Sequence, residues 1–260
     1  MDLKLSGKSA LVTGSTAGIG YAIAAALANE GARVWINGRT EARVSEAVRQ
    51  IGKSSVRGIA SDLGSADGAR QLVAQLPEVD ILINNVGIFE ARPFAEISDA
   101  DWLKFFEVNV LSGVRLSRCY LPGMLKRNWG RVIFISSESA VNPPAEMVHY
   151  GTTKTAQLAV ARGLAEMTAG TAVTVNSVLP GPTRSEGVEE FVRKIAESKG
   201  TDKSSFEKEF FRTMRPTSLL KRFIECDEVA AVTAFLCSPL AAAVNGAAVR
   251  VDGGVVRSVI

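Results

Sequence analysis

Short runs of β-branched and other apolar residues alternate along almost the whole chain with longer, alanine-rich stretches whose apolar positions recur at helical spacing. The runs predict strands over 9–13, 34–37, 56–61, 81–84, 132–136, 173–178 and 248–251. The stretches predict helices over 19–29, 40–51, 66–75, 99–127, 150–168 and 227–237. Alternation of this kind means βαβ units with right-handed crossovers. The expected fold is therefore α/β: one doubly wound parallel sheet of about seven strands with helices on both faces. Pro122 falls inside a helical pattern and predicts a kink there. There is no internal repeat, low-complexity tract or linker, so residues 1–260 are read as a single domain.

One segment breaks the rhythm. Residues 182–216 are dense in charge, with Phe191, Ile195, Phe206, Phe210, Phe211 and Met214 interleaved. The pattern predicts one or two short amphipathic helices outside the sheet. Placed over the strand ends, where open α/β sheets bind ligands, they would form a small helical substrate lid.

Composition narrows the function classes. With 47% hydrophobic residues the chain can fill an ordinary core, and a net charge of +3 without a basic stripe argues against nucleic acid. Cys119, Cys226 and Cys237 are odd in number and far apart, which predicts free thiols in a reducing compartment. The start of the chain lacks a secretory signal, and no apolar stretch reaches the ~20 residues of a membrane span. A cytoplasmic protein that does not bind membranes is expected. One histidine and no Cys or carboxylate cluster give no support to a metal site.

Two stretches carry candidate chemistry. Thr13-Gly14-Ser15-Thr16-Ala17-Gly18-Ile19-Gly20 follows the first predicted strand and opens the first helix. Gly14 allows the tight turn, Gly18 lets backbone approach a pyrophosphate, and Gly20 lets the helix pack close to the strand. The helix start then offers free N–H groups to an anion. Further on, Tyr150 and Lys154 lie one helical turn apart, with Ser137 at the end of a strand thirteen residues before the tyrosine. A phenol near pH ~10 is a poor acid or base, and a nearby ammonium would lower its pKa. Alone, the Tyr–Lys spacing is also that of an ordinary helix-surface pair. His149 adjoins Tyr150 but faces another way on a helix, so a structural or pocket-rim role is expected of it.

The glycine spacing, together with Asn84-Asn85-Val86-Gly87, Asn109, Ser137, Tyr150, Lys154 and Pro180-Gly181, resembles the classical short-chain dehydrogenase/reductase family over almost the whole chain. The resemblance implies a Rossmann-type NAD(P)(H)-dependent oxidoreductase that interconverts a secondary alcohol and a ketone, commonly as a homotetramer. It implies Tyr150 as acid/base, Ser137 as the group orienting the substrate oxygen, and Lys154 as lowering the tyrosine pKa and binding the nicotinamide ribose. Asn109 would hold a helix distortion and a water that links Lys154 to solvent. Cofactor contacts would come from Gly14, Ser15, Thr16, Gly18, Ile19, Gly20, Asp62, Leu63, Asn85, Gly87, Pro180, Gly181 and Thr183. Asp62 reads equally as a helix N-cap, and Val86 stands where the family usually has alanine.

At the end of the second strand an acid would bind the ribose 2′-hydroxyl and repel a 2′-phosphate. Asn37 is read as occupying that position, followed by Arg39, which can pair with phosphate. NADP(H) is favoured over NAD(H). Within the same resemblance, a 3-oxoacyl thioester reductase is an alternative to a general alcohol/ketone enzyme. A non-catalytic redox sensor would be expected to lose Tyr150 or Lys154, and dehalogenase- or lyase-like relatives to lose the cofactor glycines; all are present. Phe89, Phe94, Ser139, Asn142, Pro143, Met147 and Phe191 are expected to line a substrate pocket.

Overall fold

The computed structural model describes residues 1–186, 188 and 203–259. Its main sheet has seven parallel strands: β1 (Ser9–Val12), β2 (Arg33–Gly38), β3 (Val56–Ala60), β4 (Ile81–Asn84), β5 (Gly130–Ile135), β6 (Val173–Pro180) and β9 (Ala248–Val251). Their order is β3-β2-β1-β4-β5-β6-β9. The chain winds outward from β1 to β3, then returns to place β4 on the other side of β1. That reversal opens a crevice beyond the carboxyl ends of β1 and β4, the usual ligand position in such sheets.

The central strands are buried along their whole length, as a sheet covered on both faces requires. Alternation supplies two cores from the same strands. Ala10, Val12, Ile81, Ile83, Ile133 and Ile135 pack toward α1 (Gly18–Asn29) and a late helix, Cys226–Cys237. Leu11, Leu82, Val132 and Phe134 pack on the other face, toward α3 (Ala66–Gln75) and the helices around residues 112–166. All seven predicted strands and their parallel pairing are present.

The helix predicted over 99–127 is divided. α4 (Asp99–Phe106) runs into a π-helical turn, Glu107–Leu111, and then into α5 (Ser112–Lys126). The interruption lies at Asn109, while Pro122 sits inside a continuous α5. Between α1 and α3, α2 (Glu41–Ile51) is closed by Gly52 in the left-handed conformation at φ 66°. α6 (Val148–Glu166) carries the Tyr–Lys pair.

In the segment predicted as a lid, β7 (Thr183–Arg184) pairs with β8 (Ile224–Glu225) in a separate two-stranded sheet. α7 (Lys203–Thr213) buries Phe210 and Phe211 against Phe223, with ring centroids 5.0–5.2 Å apart. The Cys226–Cys237 helix is α8. Phe191 and Ile195 lie outside the described residues.

Candidate active site

β1 ends in a turn that makes the first half of the site. Gly14 and Gly18 both adopt φ 58°, a left-handed conformation costly for other residues. A Cβ on Gly20 would come 2.5 Å from the Gly14 carbonyl and from the Asn85 amide nitrogen, so only glycine lets α1 start this close to β4. Unlike α2 and α3, capped by Thr40 and Ser65, α1 has no side-chain cap and no acid in its first turn. Its first N–H groups and positive dipole end are left for an anion. Gly18, Ile19 and Gly20 line a cleft there with Asn85, Gly87, Pro180, Gly181 and Thr183. Asn85 braces the loop by donating to the Thr13 and Gly14 carbonyls at 3.0 and 2.9 Å.

The same cleft continues to Ser137, Tyr150 and Lys154. The extended end of β5 presents Ser137, whose hydroxyl accepts from the Ser139 N–H at 3.1 Å. α6 brings Tyr150 and Lys154 to the same place, with the ammonium nitrogen 5.6 Å from the phenol ring centroid. Lys154 is buried; its Nζ donates to the Ile135 carbonyl at 2.9 Å and to Gln157 Oε1 at 3.2 Å. Burial pulls its pKa down to about 7. Burial pushes Tyr150 up to about 12, against the opposing hydrogen bond of Ser137. Burial favours the neutral form of each group.

Asn109 does hold a helix distortion. Its side chain accepts from the Ile88 N–H at 2.7 Å and donates to the Ile88 carbonyl and Thr153 Oγ1, both at 3.0 Å. The π turn frees its own carbonyl, which accepts from Gln157 Nε2 at 2.5 Å. Gln157 therefore joins Lys154 to Asn109. Sequence reasoning missed it, although its position three residues after Lys154 puts it on the same helix face.

Other expected residues fall elsewhere. Ser15 turns inward, donating to the Val12 carbonyl at 2.6 Å, and Leu63 is a core side chain. Asp62 is exposed and accepts from the Gly64 N–H at 3.0 Å; the α3 N-cap is Ser65. Val86 packs against the core beside Gly14. Phe89, Ser139 and Met147 line the cavity, whereas Phe94, Asn142 and Pro143 are exposed outside its lining. His149 is buried against Phe105 and Trp102 with neither ring nitrogen bonded, away from the cleft.

The reading of Asn37 is overturned. Its side chain is buried: Nδ2 donates to the Ile59 and Ser61 carbonyls at 3.2 and 3.1 Å, and Oδ1 accepts from the Gly14 N–H at 3.3 Å. Strand alternation turns it under the glycine loop and leaves the next residue, Gly38, facing Thr16, where a Cβ would come 2.4 Å from the threonine methyl. Arg39 is exposed at the strand end. Arg43 lines a depression with Thr16 and Ala17, and its Nη2 donates to Glu186 at 2.7 Å across it.

Among the described residues no group of three or more His, Cys, Asp or Glu could hold a metal ion, and no helix is long and apolar enough to cross a membrane. Cys119, Cys226 and Cys237 are free thiols.

Comparison with known proteins agrees with this geometry. Residues 8–196 match the family model described as short chain dehydrogenase. The chain is 49% identical to the uncharacterized oxidoreductase YvaG of Bacillus subtilis, with 100% of both chains covered. It is 32% identical to the 3-oxoacyl-[acyl-carrier-protein] reductase FabG of Aquifex aeolicus, over 98% of this chain and 99% of the other. Among solved structures, L-sorbose reductase from Gluconobacter frateurii, complexed with NADPH and L-sorbose, superposes with a TM-score of 0.92 at 30% identity, with 100% of both chains covered. With its glycine loop, its sheet order and this coverage by relatives, the chain belongs to the short-chain dehydrogenase/reductase family of oxidoreductases.

Proposed function

We propose that the protein is an NADP(H)-dependent oxidoreductase that interconverts a secondary alcohol and a ketone. The observation that carries this reading is one continuous cleft, with an uncapped helix N-terminus at one end and Ser137, Tyr150 and Lys154 at the other. The cleft fits a nicotinamide dinucleotide: the Gly18–Gly20 turn meets an anionic diphosphate with backbone N–H groups, and the aliphatic wall of Ile19 and Pro180 suits flat rings. When bound, that group supplies or accepts the hydride at the reacting carbon. NADPH in the L-sorbose reductase complex supports the choice of cofactor. In this reading Arg39, exposed at the end of β2, and Arg43, beside Thr16, would meet a 2′-phosphate.

This chain's own residues handle the proton. A phenol with a pKa near 12 stays protonated at neutral pH, so Tyr150 enters ketone reduction as the acid and gives its proton to the carbonyl oxygen as charge develops there. Ser137 orients that oxygen. Lys154, held by Ile135 and Gln157, is poised to gain or lose a proton near neutrality, and through Gln157 it is tied to Asn109. In this reading the enzyme is a cytoplasmic homotetramer acting on a small molecule.

The test is a panel of ketones and secondary alcohols with NADPH, NADH and their oxidised forms, read by the absorbance of the reduced nicotinamide. Turnover with NADPH exceeding that with NADH supports the proposal. Cofactor binding without turnover of any member would instead indicate a dinucleotide sensor.

A further inference from the structure

The cavity wall beside Ser137 is charged, and the proton-handling residues do not use it. Glu138 follows Ser137 directly and is 4% exposed. Its Oε1 accepts from Arg215 Nε at 3.1 Å and its Oε2 from Ser139 Oγ at 3.2 Å. Arg215, just beyond α7, also donates through Nη1 to Glu146 Oε1 at 3.3 Å and to the Met214 carbonyl at 2.9 Å. Its guanidinium lies 5.9 Å from the Phe210 ring centroid. Glu138, Glu146 and Arg215 all line the cavity that holds Ser137 and Tyr150.

Burying an ion pair is a poor way to gain stability, because desolvation offsets the attraction and apolar replacements often do as well. A buried pair on the wall of the cavity that holds Ser137 and Tyr150 is placed to meet a ligand. Three substituents can be weighed against it. A substrate carboxylate would meet two carboxylates and one guanidinium, an excess of like charge. A hydrocarbon group would cover the pair and leave its spare donors and acceptors away from water. A hydroxyl both donates and accepts, so it satisfies either member. The position of that hydroxyl follows from the cavity. Ser137 and Tyr150 are the groups proposed to hold the reacting oxygen, and Glu138 and Arg215 line the same cavity, close enough to Tyr150 for their charges to act on its phenol. The group they read sits close to the reacting carbon.

We propose that Glu138 and Arg215 select the substrate, and that the site takes an uncharged ketone or secondary alcohol with a hydroxyl on the carbon next to the reacting one. This rests on the alcohol/ketone reading above. It excludes keto acids and places a simple ketone well below its hydroxylated counterpart.

A four-carbon series isolates the effect: acetoin, 2-butanone and acetoacetate, each reduced with saturating NADPH by wild type, Glu138→Gln and Arg215→Lys. The wild type is expected to prefer acetoin over 2-butanone by about ten- to hundredfold in kcat/KM, the range of a charge-assisted hydrogen bond, with acetoacetate last. In Glu138→Gln the acetoin preference should shrink to a few-fold and acetoacetate should gain relative to 2-butanone. In Arg215→Lys, which keeps the charge but loses the fork, the acetoin preference should shrink without that gain. Ratios within one variant are unaffected by partial loss of folded protein, and if Glu138→Gln does not fold, the Arg215→Lys ratios decide. Equal kcat/KM for acetoin and 2-butanone in the wild type, or a preference that both variants retain, overturns the inference and leaves the oxidoreductase reading standing. No turnover of any ketone or its alcohol with either cofactor overturns both.

Discussion

Replacing Asn37 with aspartate separates two accounts of the adenosine end of the cleft. If Asn37 faced the ribose, Asn37→Asp would be a surface change that turns cofactor preference toward NAD(H). The structure predicts a folding defect instead. The amide donates to two buried carbonyls, those of Ile59 and Ser61, and a carboxylate can donate to neither. Each stranded acceptor costs ~1–3 kcal/mol, so the pair costs about 2–6 kcal/mol, a large share of a typical ~5–15 kcal/mol of stability. At ~2–4 °C per kcal/mol for a chain of this size, Tm should drop by roughly 5–20 °C. The sign of the pH dependence follows from burial, which raises the folded-state pKa of the introduced carboxyl above its unfolded value of ~3.9. The group is protonated in both states at low pH, so the deficit is smallest there. It grows as pH rises from the unfolded to the folded pKa and then levels off. Thermal unfolding of wild type and variant at pH 5 and pH 8 should show the larger gap at pH 8. A Tm within about 2 °C of wild type at pH 8, together with a swing to NAD(H), would refute the inward placement of Asn37.

Cofactor selectivity is better tested at the two arginines. Loss of a contact worth ~1.5–3 kcal/mol should weaken NADP(H) by about ten- to hundredfold and spare NAD(H); Arg39→Ala and Arg43→Ala, titrated with both cofactors, show which residue makes it, and equal weakening of both cofactors in both variants rejects the assignment. For pH, Lys154 is charged below about 7 and neutral above it, so kcat/KM for NADPH should fall as pH rises through that value in the free enzyme. Gln157→Leu, which removes an acceptor of the Lys154 ammonium, should move that limb to lower pH, and an unmoved limb would show that Gln157 only packs. Light scattering at micromolar concentration should give the mass of four chains, and a monomeric mass would remove the tetramer from the account.

Much of this was legible in the sequence, because the signals there are local. Each β-branched run became a strand, and the glycine spacing identified the turn whose φ values only glycine adopts cheaply. What escaped depended on neighbours distant in the chain. Asn37 looked like a cleft residue because its place at a strand end is visible, whereas the Ile59 and Ser61 carbonyls that hold it come from another strand. Arg215 gave no signal in a charged stretch, since its partner Glu138 is 77 positions away. Spacing likewise shows that Tyr150 and Lys154 are close, but not that Lys154 is buried.

The central claim is that Tyr150 moves the proton in a site where the cofactor binds independently of it. The measurement that tests it most directly is single-turnover reduction of a substrate ketone by Tyr150→Phe, with NADPH binding followed by fluorescence in the same samples. The ring remains to pack against Phe89, 6.4 Å away between centroids, so cofactor affinity should stay within a few-fold of wild type. The rate should fall by ~10²–10⁴-fold, the contribution typical of a positioned acid. A variant that binds NADPH and reduces the ketone at near wild-type rate would contradict the account.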